Sequence, residues 1–211
     1  MRSSLVVMCT TLAAFVCVGV STTAGAQAGE LQVLLDFGHG FDASSVETND
    51  AAASLTREGK LRIRTGHQNP WPGITLKAPE GKWDLSPYES ISLEVTNRGD
   101  RDVTVYCRVD NPGADGTDHC VTDHVSVDPG ASQTLTVRIF PVPWKLDEPL
   151  ELVGMRANPV HAGKIDTANV IQLVIFVNHP AQGHIFEIDN IRAAGCVQVL
   201  DTSTFLPFID E

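Results

Sequence analysis

Trp71, Trp144, Arg64, Arg108 and Asp110 are the residues whose types and settings suit binding chemistry. An indole presents a flat apolar face that stacks on the C–H face of a sugar ring, and planar Arg, Asn, Asp and Gln groups match hydroxyls. Trp71 stands in Gly-His-Gln-Asn-Pro-Trp-Pro-Gly, a run of turn formers. A tryptophan there is either a half-exposed stacking surface or a plug for the end of the fold. Trp144, between Pro143 and Lys145, lies in a second loop with both roles open. Trp83, just ahead of Asp84-Leu85-Ser86, reads as a core plug. In Cys107-Arg108-Val109-Asp110-Asn111, an inward Cys107 and Val109 would turn Arg108 and Asp110 onto one outer face. There they either hydrogen-bond a ligand or form a surface ion pair of little energetic weight. Arg64, in the strand before His67, is a second candidate of the same kind.

Catalytic signatures do not accompany these residues. The sequence has no Gly-x-Ser-x-Gly, no Gly-rich phosphate loop and no His-Glu-x-x-His. A glycosidase needs two carboxylates facing each other across a sugar. Glu80, Asp84, Glu94 and Asp110 are available, yet none carries a local signature, and a solvated face explains most of them better. No catalytic residue is assigned. Asp36, closing the first strand, and Asp189, in Glu-Ile-Asp-Asn-Ile, are the candidate ligands of a structural calcium ion. An acidic exported domain suits an oxygen-liganded cation, although no Asp-x-Asp-x-Asp loop is present.

The elements that position these residues follow from length, charge and periodicity. A chain of 211 residues is one domain's worth. With 43% hydrophobic residues it is not intrinsically disordered, and with 19% charged residues it is not a coiled coil. Its net charge of -11 argues against nucleic-acid and anionic-lipid partners. Residues 1–28 read as a secretory signal peptide: Arg2 first, then an apolar run over Leu5 to Val20, then Ala24-Gly25-Ala26 and Ala26-Gln27-Ala28 as small-x-small sites. The expected location is therefore secreted or periplasmic, with no membrane attachment after cleavage. Cys9 and Cys17 leave with the signal, and Cys107, Cys120 and Cys196 remain. Cys107 and Cys120 flank an Asn/Pro/Gly-rich connection, so either a hairpin-closing disulfide or two separate thiols fits the spacing.

Period-two alternation recurs along the body. Ile91, Leu93 and Val95 show it, as do Val103, Val105, Cys107 and Val109. Val125 and Val127, Leu135 to Ile139, and Ile185 to Ile191 continue it. Val170 to Val177 is a near-continuous apolar run, as expected of a central strand, and Leu31 to Phe37, Leu61 to Thr65 and Ile74 to Lys77 add three more. Turn formers separate them, as in Asn111-Pro112-Gly113 and Asp128-Pro129-Gly130. Only Asn49 to Arg57 has a helical look. Eight or nine short strands without βαβ spacing predict an all-β fold, a two-sheet β-sandwich of the galactose-binding-like jelly-roll kind.

Several phrases, taken in order, carry a resemblance. They are Leu34-Leu35-Asp36-Phe37, Trp71-Pro72-Gly73-Ile74-Thr75-Leu76, Trp83-Asp84-Leu85-Ser86-Pro87-Tyr88, Leu93-Glu94-Val95-Thr96-Asn97, Arg108-Val109-Asp110-Asn111-Pro112-Gly113 and Ile188-Asp189-Asn190-Ile191-Arg192. Together they resemble the carbohydrate-binding-module-like domain at the front of β-agarases of glycoside hydrolase family 50. Phe205-Leu206-Pro207-Phe208-Ile209-Asp210-Glu211 is similar to the segment that leads into the catalytic barrel of those enzymes. The resemblance implies a module over 29–200 and a linker remnant over 201–211. It implies a non-catalytic role near agar-type galactans, with a polysaccharide as ligand and a glycoside hydrolase catalytic domain as partner. The competing expectation is a structural domain that packs on such a barrel and binds no sugar itself.

Overall fold

The computed structural model describes residues 31–38, 40–139 and 165–195. The expected signal peptide, Trp144, Cys196 and the 201–211 segment lie outside them. The described chain forms eleven strands and no α-helix. They are β1 (Gln32–Leu35), β2 (Glu47–Asn49), β3 (Ala51–Leu55), β4 (Leu61–Thr65), β5 (Gly73–Lys77) and β6 (Ser90–Asn97). Then follow β7 (Val103–Asp110), β8 (Cys120–Val127), β9 (Ser132–Arg138), β10 (Gln172–Val177) and β11 (Ile185–Ala194).

The strands divide into two antiparallel sheets. The first runs β3-β4-β11-β6-β9, with β1 also paired to β11, and the second runs β2-β5-β10-β7-β8. This is the two-sheet jelly roll that the alternation predicts. Each alternating strand sends its apolar set between the sheets. Ile91, Leu93 and Val95 from β6 meet Val105, Cys107 and Val109 from β7, all at most 1% exposed. Phe37, Leu61, Ile63, Phe186 and Ile188 fill the same layer. β10 is central, as its apolar run implies, between β5 and β7. Trp83 is buried and bridges Val170, which is the core-plug role expected of it.

One expectation needs correction, and of the two arrangements left open for Cys107 and Cys120 the structure takes the separate thiols. Asn49 to Arg57 is not helical: Asn49 ends β2, Asp50 takes φ 44°, and Ala51–Leu55 form β3. Five consecutive pairings with β4 and the packing of Ala51 and Ala53 on the core outweigh the helix preference of alanine. Cys107 and Cys120 are both free and buried. The hairpin register pairs Cys107 with Asp123 and Cys120 with Asp110. The two thiols are thus three rungs apart, about 10 Å along the strand, and on opposite faces. Burial and the nearby Asp110 and Asp123 push the Cys107 thiol up to about 12.

Turn residues double as struts. Asn111 donates through Nδ2 to the carbonyls of Asp166 and Asn169, both at 2.7 Å, and its Oδ1 accepts the Asp166 N–H at 2.6 Å. Asn97 donates to the carbonyls of Arg101 and Val127 at 2.7 and 2.8 Å. These bonds fix the loops at the strand ends, where loose backbone would leave buried polar groups unpaired.

Candidate functional site

The outer face of the second sheet is built by register. On β7, Thr104, Tyr106, Arg108 and Asp110 point away from the core residues Val103, Val105, Cys107 and Val109. Pairing sets Phe176 of β10 and His124 of β8 on either side of Tyr106. Their rings stack, Tyr106 on Phe176 at 5.3 Å and 17°, and Tyr106 on His124 at 5.0 Å and 30°. The separation matches the strand spacing, so three neighbouring strands each supply one ring of a ladder.

The ladder stops at β5, where Gly73 pairs with Phe176. A Cβ on Gly73 would lie 2.7 Å from the Phe176 Cβ and against the Ile175 carbonyl, so only glycine lets β10 and its phenylalanine close in. Two residues earlier, Trp71 stands 55% exposed and meets the His179 ring edge-on at 5.6 Å. Its loop is pinned from the β2–β3 turn. Asp50 Oδ2 accepts the N–H groups of Gln68 and Asn69 at 2.8 and 3.0 Å. Asn49 donates to the Trp71 carbonyl at 3.1 Å, and His179 donates its N–H to the Pro70 carbonyl at 2.7 Å.

At the other end of the strands, the β7–β8 loop rises beside Arg108. The Arg108 guanidinium donates Nε to Asp110 Oδ1 at 2.7 Å and Nη2 to Oδ2 at 2.9 Å. Gln172 Nε2 donates to the same Oδ2 at 2.8 Å. Asp110 is fully buried beneath them, and this bidentate contact keeps Arg108 firmly protonated. Gly116 approaches closely enough that a Cβ there would sit 3.0 Å from Arg108 Nη1. Asp115 accepts the N–H groups of Thr117 and Asp118, both at 2.8 Å, which holds its carboxyl below the usual range.

Between these two ends lies a groove of about 750 Å³. Its apolar floor is Val174, Phe176, Tyr106 and Trp71, and its polar groups include Asn49, Thr75, Arg108, Thr122, Gln172 and Asn178. Rings plus convergent planar polar groups are what a sugar chain requires of a surface.

The structure brings together some of the expected residues and separates others. Trp71 and Arg108 line the groove, so Trp71 is no end plug. Asp110 is not on the surface and instead fixes Arg108 and Gln172 from below. Arg64 is exposed on β4 of the first sheet, away from the groove. Asp36 and Asp189 do line one small cleft beside β1 and β11. Asp36 is occupied by the Gly38 N–H and Asp189 by the Asn190 N–H, and Arg192 lines the same cleft. Among the described residues no three metal-ligating side chains converge, so this donor set does not fit the six to eight oxygens that calcium takes. The sequence reading missed Tyr106, Phe176, Gln172 and Asn49. The signal was present for Phe176: in the run Gln172 to Val177, alternation turns Val174 and Phe176 outward.

No family model matches the chain. Over 188 aligned residues it is 27% identical to Beta-agarase B of Vibrio sp. (strain JT0107), an alignment that takes in 76% of this chain and 19% of that protein. The chain thus spans about a fifth of the length of that curated relative. A solved exo-β-agarase superposes with a TM-score of 0.60 at 19% identity, over 79% of this chain and 25% of the enzyme. The solution structure of CtCBM11, a module on which binding studies were made, superposes with a TM-score of 0.52 at 17% identity, over 82% of this chain and 99% of the module. The chain therefore has a carbohydrate-binding-module-like fold and is similar to a module-sized part of β-agarases, as its ordered phrases imply.

Proposed function

We propose that this protein is a non-catalytic polysaccharide-binding module whose site is the groove on the outer face of the second sheet. The observation that carries this reading is the exposed Trp71 beside the Phe176–Tyr106–His124 ladder, with Arg108 and Gln172 held in place by the buried Asp110. Rings supply stacking area, and the Arg108 and Gln172 donors left over from Asp110 face hydroxyls. The similarity to β-agarases favours an agar-type galactan as ligand and a glycoside hydrolase catalytic domain as partner. The apolar run after Arg2 favours export to the secreted or periplasmic space. Among the described residues no helix is long and apolar enough to cross a membrane.

The test is retention of the purified protein on insoluble agarose, cellulose and chitin, with Trp71→Ala and Arg108→Ala beside it. Retention on agarose that either substitution abolishes is the expected result. A second reading is a domain that packs on a catalytic barrel and binds no sugar. It is favoured by Leu31 and Val33, exposed at 59% and 66% on and beside the edge strand β1. Retention on none of the three polymers would select that second reading.

A further inference from the structure

The groove is short of available positive charge. Among the described residues that line it, the ionisable groups besides Tyr106 are Glu47, Asp115 and Arg108. Arg108 is already committed to Asp110 through two hydrogen bonds. Lys77, the neighbouring cation on β5, is committed to Glu47. Among the described residues Asp115 forms no salt bridge, although it feels the charge of Arg108 and His119, and it takes its hydrogen bonds from backbone N–H groups. With both pairs neutralised, Asp115 leaves this face with a residual negative charge. The formal charge of the chain, -11, adds a field of the same sign.

We propose that the groove selects uncharged polysaccharides and rejects chains carrying sulfate esters or uronates, by electrostatic exclusion at Asp115 on a face whose cations are already paired. This rests on the reading of the groove as a sugar site. An anionic glycan would need an uncommitted Arg or Lys to replace the hydration of each sulfate or carboxylate. Among the described residues, the nearby cations Arg108 and Lys77 would first have to leave an aspartate or glutamate. A neutral chain needs no such exchange. It uses the rings, the amides of Asn49, Gln172 and Asn178, and the free Nη1 side of Arg108.

The experiment measures binding of the purified protein to agarose, cellulose and mixed-linkage β-glucan, each beside its chemically sulfated derivative. Measurements are made at about 20 mM and about 500 mM NaCl, which shrinks the screening length from about 20 Å to about 4 Å. The neutral member of the bound pair is expected to bind with little salt dependence. Its sulfated derivative is expected to bind about tenfold or more weakly at low salt, with the gap narrowing at high salt. Asp115→Asn combined with Glu47→Gln, which removes the residual negative charge and releases Lys77, should narrow the low-salt gap between the sulfated and the neutral polymer. Equal or tighter binding of the sulfated derivative at low salt overturns the proposal. A gap indifferent to salt and to the double substitution also overturns it, because the rejection is then steric. Binding to no neutral polymer at either salt concentration overturns the sugar-site reading itself. Neutral binding with the wrong charge preference overturns only the exclusion.

Discussion

The outer faces of the two sheets solve the same problem in opposite ways. Each must present polar groups to water while its inner face is apolar. On the first sheet the polar groups satisfy one another. Glu187 of β11, with its side chain only 1% exposed, is clamped by Arg62 of β4 at 2.6 Å and by Arg98 at 2.8 Å. Beside it, the hydroxyls of Thr96 and Ser132 share a hydrogen bond at 2.8 Å across β6 and β9. On the second sheet one carboxylate, Asp110, is buried in order to aim Arg108 and Gln172, and three rings and a tryptophan stand over the remaining surface. Self-satisfied polarity makes a closed face, while partly committed polarity beside rings makes a receptive one. The comparison predicts that substitutions on the first face change stability alone, and those on the second change binding, with one exception where the backbone itself is at stake.

That exception carries the largest expected effect. Gly73 lies on the groove face, yet its missing Cβ is what lets β5 and β10 approach. Gly73→Ala forces a shift of backbone and not of a flexible side-chain end, at a cost of about 3 kcal/mol in stability. The Phe176 ring moves with β10, so polysaccharide retention is expected to fall as well. Urea unfolding followed by Trp fluorescence reads the first quantity. An unchanged midpoint would refute the close approach as described.

Glu187→Gln comes next, at about 2 kcal/mol of stability lost, since two charged hydrogen bonds to a buried carboxylate are weakened and two arginines are left facing a neutral group. Sugar retention is expected to be unaffected. The pH dependence has a definite sign. Burial pushes the Glu187 carboxyl up, but the hydrogen bonds from Arg98 and Arg62 outweigh it, and the folded value lies below the ordinary one. The pair's stabilisation is therefore fully present above the unfolded value and fades as pH falls through the folded one. The wild-type protein should lose stability on acidification below pH 4.5, the reference value for a free Glu, more steeply than Glu187→Gln. Parallel pH profiles would remove Glu187 from that account.

Trp71→Ala reverses the pattern. The ring is more than half exposed, so stability should change by less than about 0.5 kcal/mol. Binding should weaken about tenfold, or about 1.4 kcal/mol, for loss of one stacking surface. Asp50→Ala releases the Gln68 and Asn69 N–H groups that fix the same loop, and should weaken binding by a smaller factor of about three through loss of preorganisation. Isothermal titration with an oligosaccharide of the bound polymer ranks the two. Equal losses would place Asp50 in the site and not behind it.

Much of this division was legible in the sequence. The alternation of Ile91-Ser92-Leu93-Glu94-Val95 and of Val103 to Val109 determines which face each residue takes, and so puts Arg108 outward. The turn formers around Trp71 allowed either an exposed ring or an end plug, and only the packing shows the ring exposed. Strand order was not legible, because nothing local in Arg64 says that β4 belongs to the other sheet. Register was hidden too. The ladder exists only because Phe176, Tyr106 and His124, from three distant segments, fall on one rung. Ala51-Ala52-Ala53 misled for the opposite reason, since local propensity yields to pairing with β4. Asp110 shows the limit most sharply: alternation gives its face, but only packing with Arg108 and Gln172 shows that it is covered.

The smallest expected effect tests the comparison most closely, because it keeps the chemistry and changes only the setting. Lys77 and Glu47 form an ion pair across β5 and β2, as Arg62 and Glu187 do across β4 and β11. The side chains of Lys77 and Glu47 are 59% and 58% exposed, whereas that of Glu187 is 1% exposed. Water and salt screen the first pair, and both long side chains lose rotamer freedom to form it, so Lys77→Gln should cost under about 0.5 kcal/mol. The carboxylate it leaves behind is already solvated, which is the reason the cost differs from that at Glu187. A double-mutant cycle over Lys77 and Glu47 isolates the coupling. Coupling near that of Glu187 with Arg62 would mean that burial does not set the energetic contrast between the two faces. Weak coupling, together with an added negative charge at the groove rim in Lys77→Gln, would tie burial to stability and exposure to the charge that an incoming chain meets.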